Sequence, residues 1–261
     1  MHSIIYVRLC ATRAVTSVHG ARSTWPAARD NVTPVAGFII AIDGPSGAGK
    51  GTIARAVAAR LGYRHIDTGA MYRALAWKAL REALDLADEE AMAALAARLD
   101  FEIGDGVVRV DGHDAGWAIR TPEIDKAAAT VARQPKVRAA LIARQRRLGA
   151  SGGVVMEGRD IGTAVFPDAP VKIYLDASPE ERARRRATDS AHAVGRGPLA
   201  IREIATALEE RDRSDRTRTA SPLLQASDAI AIDTTALPID DVVRQVLDLV
   251  EKRTSPGRRN G

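Results

Sequence analysis

Phe38-Ile39-Ile40-Ala41-Ile42-Asp43-Gly44-Pro45-Ser46-Gly47-Ala48-Gly49-Lys50-Gly51-Thr52 is a short apolar run that breaks into a glycine-rich turn and then into helical periodicity, which lasts to about Leu61. The apolar run has the continuity of a strand buried on both faces. Glycines let successive backbone N–H groups turn inward around anionic oxygens. A helix opening at Lys50 adds its own unpaired donors and the positive end of its dipole. Lys50 is a mobile positive charge within reach of the outer phosphates of a nucleoside triphosphate, and Thr52 offers a hydroxyl near the magnesium ion that accompanies one. The stretch therefore predicts a phosphate-binding loop over Gly44, Pro45, Ser46, Gly47, Ala48, Gly49, Lys50, Gly51 and Thr52. A plain glycine turn between strand and helix would need neither the lysine nor the hydroxyl.

Outward from the loop the same rhythm repeats. Tyr63–Asp67, Gly153–Glu157, Val171–Leu175 and Ala229–Asp233 are four more short apolar strands. Helical patterns lie between them at Ala70–Ala83, Asp88–Leu99, after Thr121-Pro122, after Gln134-Pro135, from Ser178 through Arg186, over Leu199–Arg213 and over Pro238–Lys252. Thr121 and Ser178 are N-cap residues with a proline at the next position, and Glu181 is placed for a capping box. Five strands separated by helices predict an α/β fold with a five-stranded parallel sheet covered by helices. The rhythm breaks at Asp100, where Phe101–Ile103 and Val107–Val110 alternate around Gly104-Asp105-Gly106. That hairpin signal predicts a small inserted lobe at about 100–121. Arg182, Arg184, Arg185 and Arg186 precede the flexible stretch Gly195-Arg196-Gly197-Pro198, so about 178–198 is expected to form a lid.

Composition limits the alternatives. The chain has 261 residues, enough for one α/β domain with an insert. No apolar run approaches the roughly 18 residues that span a bilayer. The single cysteine, Cys10, allows no internal disulfide and fits a reducing compartment. The net charge of +5 sits in the ends. Arg8, Arg13, Arg22 and Arg29 face only Asp30 at one end, and Lys252, Arg253, Arg258 and Arg259 face only Glu251 at the other. A near-neutral body offers no basic nucleic-acid face. Residues 1–36 lack apolar periodicity and are expected to be a dispensable disordered extension, with 37–253 as the phosphate-loop domain and 254–261 as a disordered tail. A cytoplasmic monomer acting on small molecules is the expectation.

Three further stretches narrow the reading. These are Asp67-Thr68-Gly69-Ala70-Met71-Tyr72-Arg73, Glu157-Gly158-Arg159-Asp160-Ile161-Gly162-Thr163-Ala164-Val165-Phe166-Pro167-Asp168-Ala169-Pro170, and Arg211-Asp212-Arg213-Ser214-Asp215-Arg216. In this order, over about residues 38–250, they closely resemble bacterial cytidylate kinases. The Gly-Lys-Gly-Thr ending of the loop, with Gly51 where Ser or Thr commonly follows the lysine, is similar to nucleoside monophosphate kinases rather than GTPases.

The resemblance implies that Gly44–Thr52 binds ATP with Mg2+ and that the acceptor is CMP or dCMP in pyrimidine nucleotide metabolism. It implies that the insert takes part in binding the monophosphate, with Thr68 and Arg73 on the acceptor phosphate. It also implies that Thr130, Arg138 and Asp160 read the cytosine, that Arg159 and Arg218 hold phosphate, and that Arg211 and Asp215 contact acceptor phosphate and ribose. Lys50, Arg159 and Arg211 are then the residues expected to stabilise the transferring group, with Thr52 nearest the metal.

The residues themselves agree in part. Arg211, Asp215 and Arg218 are spaced to share a helix face, if the helix reaches that far. Arg159 and Asp160 follow a buried strand, at the edge where open parallel sheets bind ligands. Asp43, Asp67 and Glu157 occupy the same edge, and Asp43 could cap a turn or orient a magnesium-bound water. Another small-molecule kinase is the nearest rival. A regulatory GTPase would need an Asn-Lys-x-Asp motif that is absent here.

Overall fold

The computed structural model describes residues 37–104, 106–189 and 198–254. The expected extension over 1–36, the Gly195-Arg196-Gly197 part of the expected lid and the tail from 255 lie outside the described residues. In chain order the elements are β1 (Ile39–Asp43), α1 (Lys50–Leu61), β2 (Arg64–Asp67), α2 (Thr68–Arg81), α3 (Glu89–Arg98), β3 (Phe101–Gly104), β4 (Val107–Val110) and β5 (His113–Asp114). They continue as α4 (Pro122–Val131), α5 (Pro135–Gly149), β6 (Val154–Glu157), a π-helical turn (Ile161–Val165), β7 (Val171–Asp176), α6 (Pro179–Thr188), α7 (Pro198–Thr217), β8 (Ile230–Asp233) and α8 (Ile239–Thr254).

The five expected strands form one sheet in the order β2-β6-β1-β7-β8, with every pairing parallel. Strand β1 is central and all five of its residues are buried. Alternate residues feed opposite layers. Ile40 and Ile42 pack with Val57 of α1 and Val243 and Val246 of α8. Ile39 and Ala41 pack with Met156, Ile161 and Val165 on the other face. Covering both faces is what makes these strands read as unbroken apolar runs. Among the described residues, no helix is long and apolar enough to cross a membrane.

Three features differ from the expectations. The hairpin gains a third strand, because β4 pairs with β5 through Arg109–Asp114 and Val110–His113. Helix α7 runs to Thr217, four residues beyond Arg213, so Arg211 and Asp215 stand one turn apart on it and Arg218 follows its end. The π-helical turn arises from a distant partner: the Ile161 and Gly162 N–H groups each donate to the Asp43 carboxylate, at 2.8 Å. Asp43 thus caps a turn with both oxygens. Burial is the main cause pushing its carboxyl up to about 6, against those two hydrogen bonds and Lys50.

Candidate functional site

A cleft of about 960 Å³ opens at the C-terminal ends of β1, β2 and β6. One end is built by the loop between β1 and α1. Gly44 has φ of +146°, and a Cβ there would lie 2.0 Å from the Leu175 carbonyl oxygen, so only glycine lets the loop leave the sheet at this point. The Lys50 ammonium donates to the Pro45 carbonyl at 2.6 Å. Ser46 through Thr52 line the cleft, and Pro45 lies behind them as that acceptor. Helices α2, α3, α4 and α6 each have a side-chain N-cap, from Asp67, Asp88, Thr121 and Ser178. Helix α1 starts from Gly49 with no side-chain cap and no acid in its first turn. Its N-terminal donors and dipole therefore face the cleft without an internal partner, which is the condition for holding an anion.

Gly51 has a packing reason. A Cβ at this position would sit 3.0 Å from Oε1 of Glu157, whose carboxylate is held 3.0 Å from Nε2 of His65. A hydroxyl-bearing residue directly after the lysine would press on that buried pair. Thr52, one residue on, is exposed and lines the cleft.

The loop is also fastened from outside. Asp212 of α7 accepts the Ser46 N–H at 3.1 Å, while Arg182 of α6 donates to the Ser46 carbonyl at 3.1 Å and to Asp212 itself. Both charges are buried. Of the expected lid arginines, Arg182 is thus a clamp behind the loop, while Arg184, Arg185 and Arg186 line the cleft. Arg185 donates to Thr234 and Glu181, and Arg186 to Asp125. Removing one partner of a buried ion pair strands the other. Asp212→Ala should therefore lower unfolding free energy by about 3–5 kcal/mol, read from urea denaturation. A loss below about 1 kcal/mol would show that the clamp is not a structural anchor.

The other end of the cleft is a ring of arginines and carboxylates. Arg159 donates to Asp215 at 3.0 Å, and Arg218 donates to the other Asp215 oxygen at 3.0 Å. Burial raises the Asp215 pKa, but Arg159, Arg218 and Arg211 outweigh it and hold the carboxyl below its usual range. Arg138 donates to Asp160, and Arg218 stands 3.8 Å from the other Asp160 oxygen. Arg73 donates to Asp67 at 2.8 Å, while Asp67 also caps α2. The Thr68 hydroxyl lines the cleft and donates to the Glu157 carbonyl at 2.7 Å. Burial and the neighbouring Arg159 push the Arg211 guanidinium down to about 10. Cationic groups crowd here beyond what the carboxylates neutralise, as an anion-binding site requires.

Arg73, Arg138, Arg159, Asp160, Arg211, Asp215 and Arg218 all line this one cleft. Thr130 does not. It is exposed on α4, and its hydroxyl donates to the Lys126 carbonyl one turn back. The α4 residues that line the cleft are Ala128, Ala129 and Ala132. Thr130 is about 100° round the helix from Ala129, and this structure places it toward solvent, off the cleft wall where a base would be read. Counting the helix from its Thr121 cap would have revealed the phase. The expected insert also contributes differently. Among the described residues of 100–121 only Arg120 lines the cleft, and Ile103, Val108 and Val110 pack instead into the core beneath α2 and α3. The wall is made by α2, α4 and α5. Tyr72 lines it without having been singled out, and Glu157, expected at the ligand-binding edge of the sheet, lines it as well.

A family model described as cytidylate kinase matches residues 40–252. A cytidylate kinase of Solibacter usitatus is 48% identical over 84% of this chain and 95% of its own length. A cytidylate kinase of Pelotomaculum thermopropionicum is 49% identical over 84% of this chain and 97% of its own. A bifunctional pantoate ligase/cytidylate kinase of a Synechococcus strain is 48% identical over 82% of this chain, which spans 44% of that protein.

Proposed function

The chain belongs to the cytidylate kinase family, and we propose that it transfers the γ-phosphoryl group of ATP to the phosphate of CMP or dCMP, giving ADP and CDP or dCDP. The observation that carries this reading is the joining of two anion sites in one cleft. The uncapped loop at Gly44–Thr52 takes ATP. The arginine ring takes the monophosphate, with Arg73 on its phosphate and Arg138 and Asp160 on its base. Asp215 and Arg218 hold ribose and phosphate. Thr68 keeps only its lone pairs for the ligand, because its proton is committed to Glu157.

Arg159 links the two ends. It is close enough to Lys50 to lower the lysine's pKa and is hydrogen-bonded to Asp215. Both substrates are polyanions that repel each other. Lys50 and the fork-shaped guanidinium groups of Arg159 and Arg211 neutralise charge spread over the transferring oxygens. No general base is needed, because the attacking phosphate oxygen is already ionised. A magnesium ion fits the residues present: Thr52 offers one hydroxyl beside Lys50, and a hard cation that keeps most of its waters needs little more from the protein. When bound, that ion would supply positive charge that offsets the charge of the transferring phosphates. Asp43 is committed to Ile161 and Gly162.

ADP formation with CMP, dCMP, UMP and AMP as acceptors tests the reading. CMP and dCMP should be turned over best; equal rates with all four would contradict it.

The same site predicts a proton uptake. Burial first, and Arg159 next, push the Lys50 ammonium down to about 7. Bound phosphates favour its charged form, so binding raises this pKa. Above about pH 7 the free lysine has lost its proton and the bound one keeps it. ATP binding at pH 8, where the nucleotide is fully ionised, should therefore take up about one proton, and affinity should fall as pH rises. Calorimetry in two buffers of different ionisation enthalpy measures the uptake. Zero uptake would place Lys50 in a wetter, unshifted state.

A further inference from the structure

With Thr130 facing solvent and alanines lining the cleft from α4, no hydroxyl on that helix reaches the base. The cleft nevertheless holds polar hydrogens with nothing to receive them. The Tyr72 hydroxyl, Nε of Arg138 and Nη2 of Arg218 are buried and have no hydrogen-bond partner among the described residues. The Arg138 guanidinium lies over the Tyr72 ring, 5.5 Å from its centroid. The charges acting on the Tyr72 hydroxyl are those of Arg138, Asp160, Arg218 and Asp215. Buried polar groups without partners are uncommon and mark a missing ligand, ion or water.

The three orphan atoms are all donors in this setting. Arginine nitrogens only donate, and burial pushes the phenol up to about 12, so it keeps its proton throughout the working range. Cytosine presents one donor edge, its amine, and two acceptors, the ring nitrogen and the carbonyl. Asp160 suits the amine. The unpaired donors then face the acceptor edge.

We propose that the Tyr72 hydroxyl is a further base-binding contact that donates to the ring carbonyl of the acceptor base, with its aromatic ring holding Arg138 in place for the neighbouring ring nitrogen. This rests on the reading of the cleft as a (d)CMP site. The hydroxyl is unsatisfied until the nucleotide arrives, so it costs the empty protein stability and returns it as affinity.

Tyr72→Phe removes the hydroxyl and keeps the ring. The dissociation constant for CMP and for dCMP, measured by calorimetry without ATP, should rise roughly 10-fold, and KM for each should follow. KM for ATP should stay unchanged, and the melting temperature of the empty protein should hold or increase. A purely structural role would instead lower the melting temperature and disturb both substrates. Unchanged CMP affinity, a parallel loss for ATP, or a loss for CMP alone would each overturn the proposal, the last because it would put the hydroxyl on the ribose. If the wild-type protein bound neither CMP nor dCMP, the reading of the site would fail first, whatever Tyr72→Phe did.

Discussion

Lys50→Ala should lower kcat on the order of 10²-fold or more, while its effect on folding is neutral or favourable. Both halves follow from the lysine's surroundings. Its ammonium is buried at the start of α1 and donates to the Pro45 carbonyl. Burial and Arg159 both oppose its charge, with Glu157, Asp212 and Asp43 only partly compensating. The fold therefore holds a cation where it is uncomfortable without an anion. A charge that is poorly solvated in the empty protein stabilises a developing negative charge strongly, because no water must be displaced when transfer occurs. Steady-state rates with saturating ATP and CMP, together with thermal melts, test this. Near-normal kcat would remove Lys50 from the mechanism, and a large drop in melting temperature would make its role structural.

Asp160 should control the choice of base, by about 10²-fold in the ratio of kcat/KM for CMP over UMP. One Asp160 oxygen receives Arg138, and the other stands 3.8 Å from Arg218, leaving it capacity to accept the cytosine amine. UMP has a carbonyl at that place and would meet the carboxylate acceptor to acceptor. A site left with unmatched buried polar groups rejects a substrate more strongly than shape alone does. Asp160→Ala should lower kcat/KM for CMP much more than for UMP. It also leaves Arg138 buried without its partner, so Asp160→Asn is the cleaner probe: it keeps the shape and replaces one acceptor oxygen by an amide. In both variants the CMP:UMP ratio should collapse. Equal losses for the two acceptors would assign Asp160 to orienting Arg138 and nothing else.

The sheet was legible because its inner strands β1, β6 and β7 are buried almost throughout, leaving an apolar signature, while the edge strands β2 and β8 stand as short runs between helical patterns. The phosphate loop was legible because its glycines, lysine and hydroxyl lie in one stretch. What escaped depends on partners distant in sequence or on helical phase. The π-helical turn at Ile161–Val165 is held by Asp43, which precedes it by more than a hundred residues. Strand β5 is two exposed residues with no pattern to detect. Arg182 sits in an arginine-rich run that reads as part of a lid, and only Asp212 and Ser46 reveal it as a buried clamp. Thr130 was placed on the base by the family resemblance alone, outside any quoted motif, whereas the phase of α4 turns it outward by one residue. Tyr72 lies inside a quoted motif, but its isolated hydroxyl is visible only once Arg138 and Asp160 are brought beside it.

The measurement that bears most directly on the two joined anion sites follows the phosphorus atom itself. With ATP labelled at the γ-phosphate, magnesium and CMP, the label should appear in the β-phosphate of CDP, with little released as inorganic phosphate. Label found mainly in inorganic phosphate, or transferred equally well without regard to the acceptor base, would contradict a cleft that aligns ATP and CMP for direct transfer.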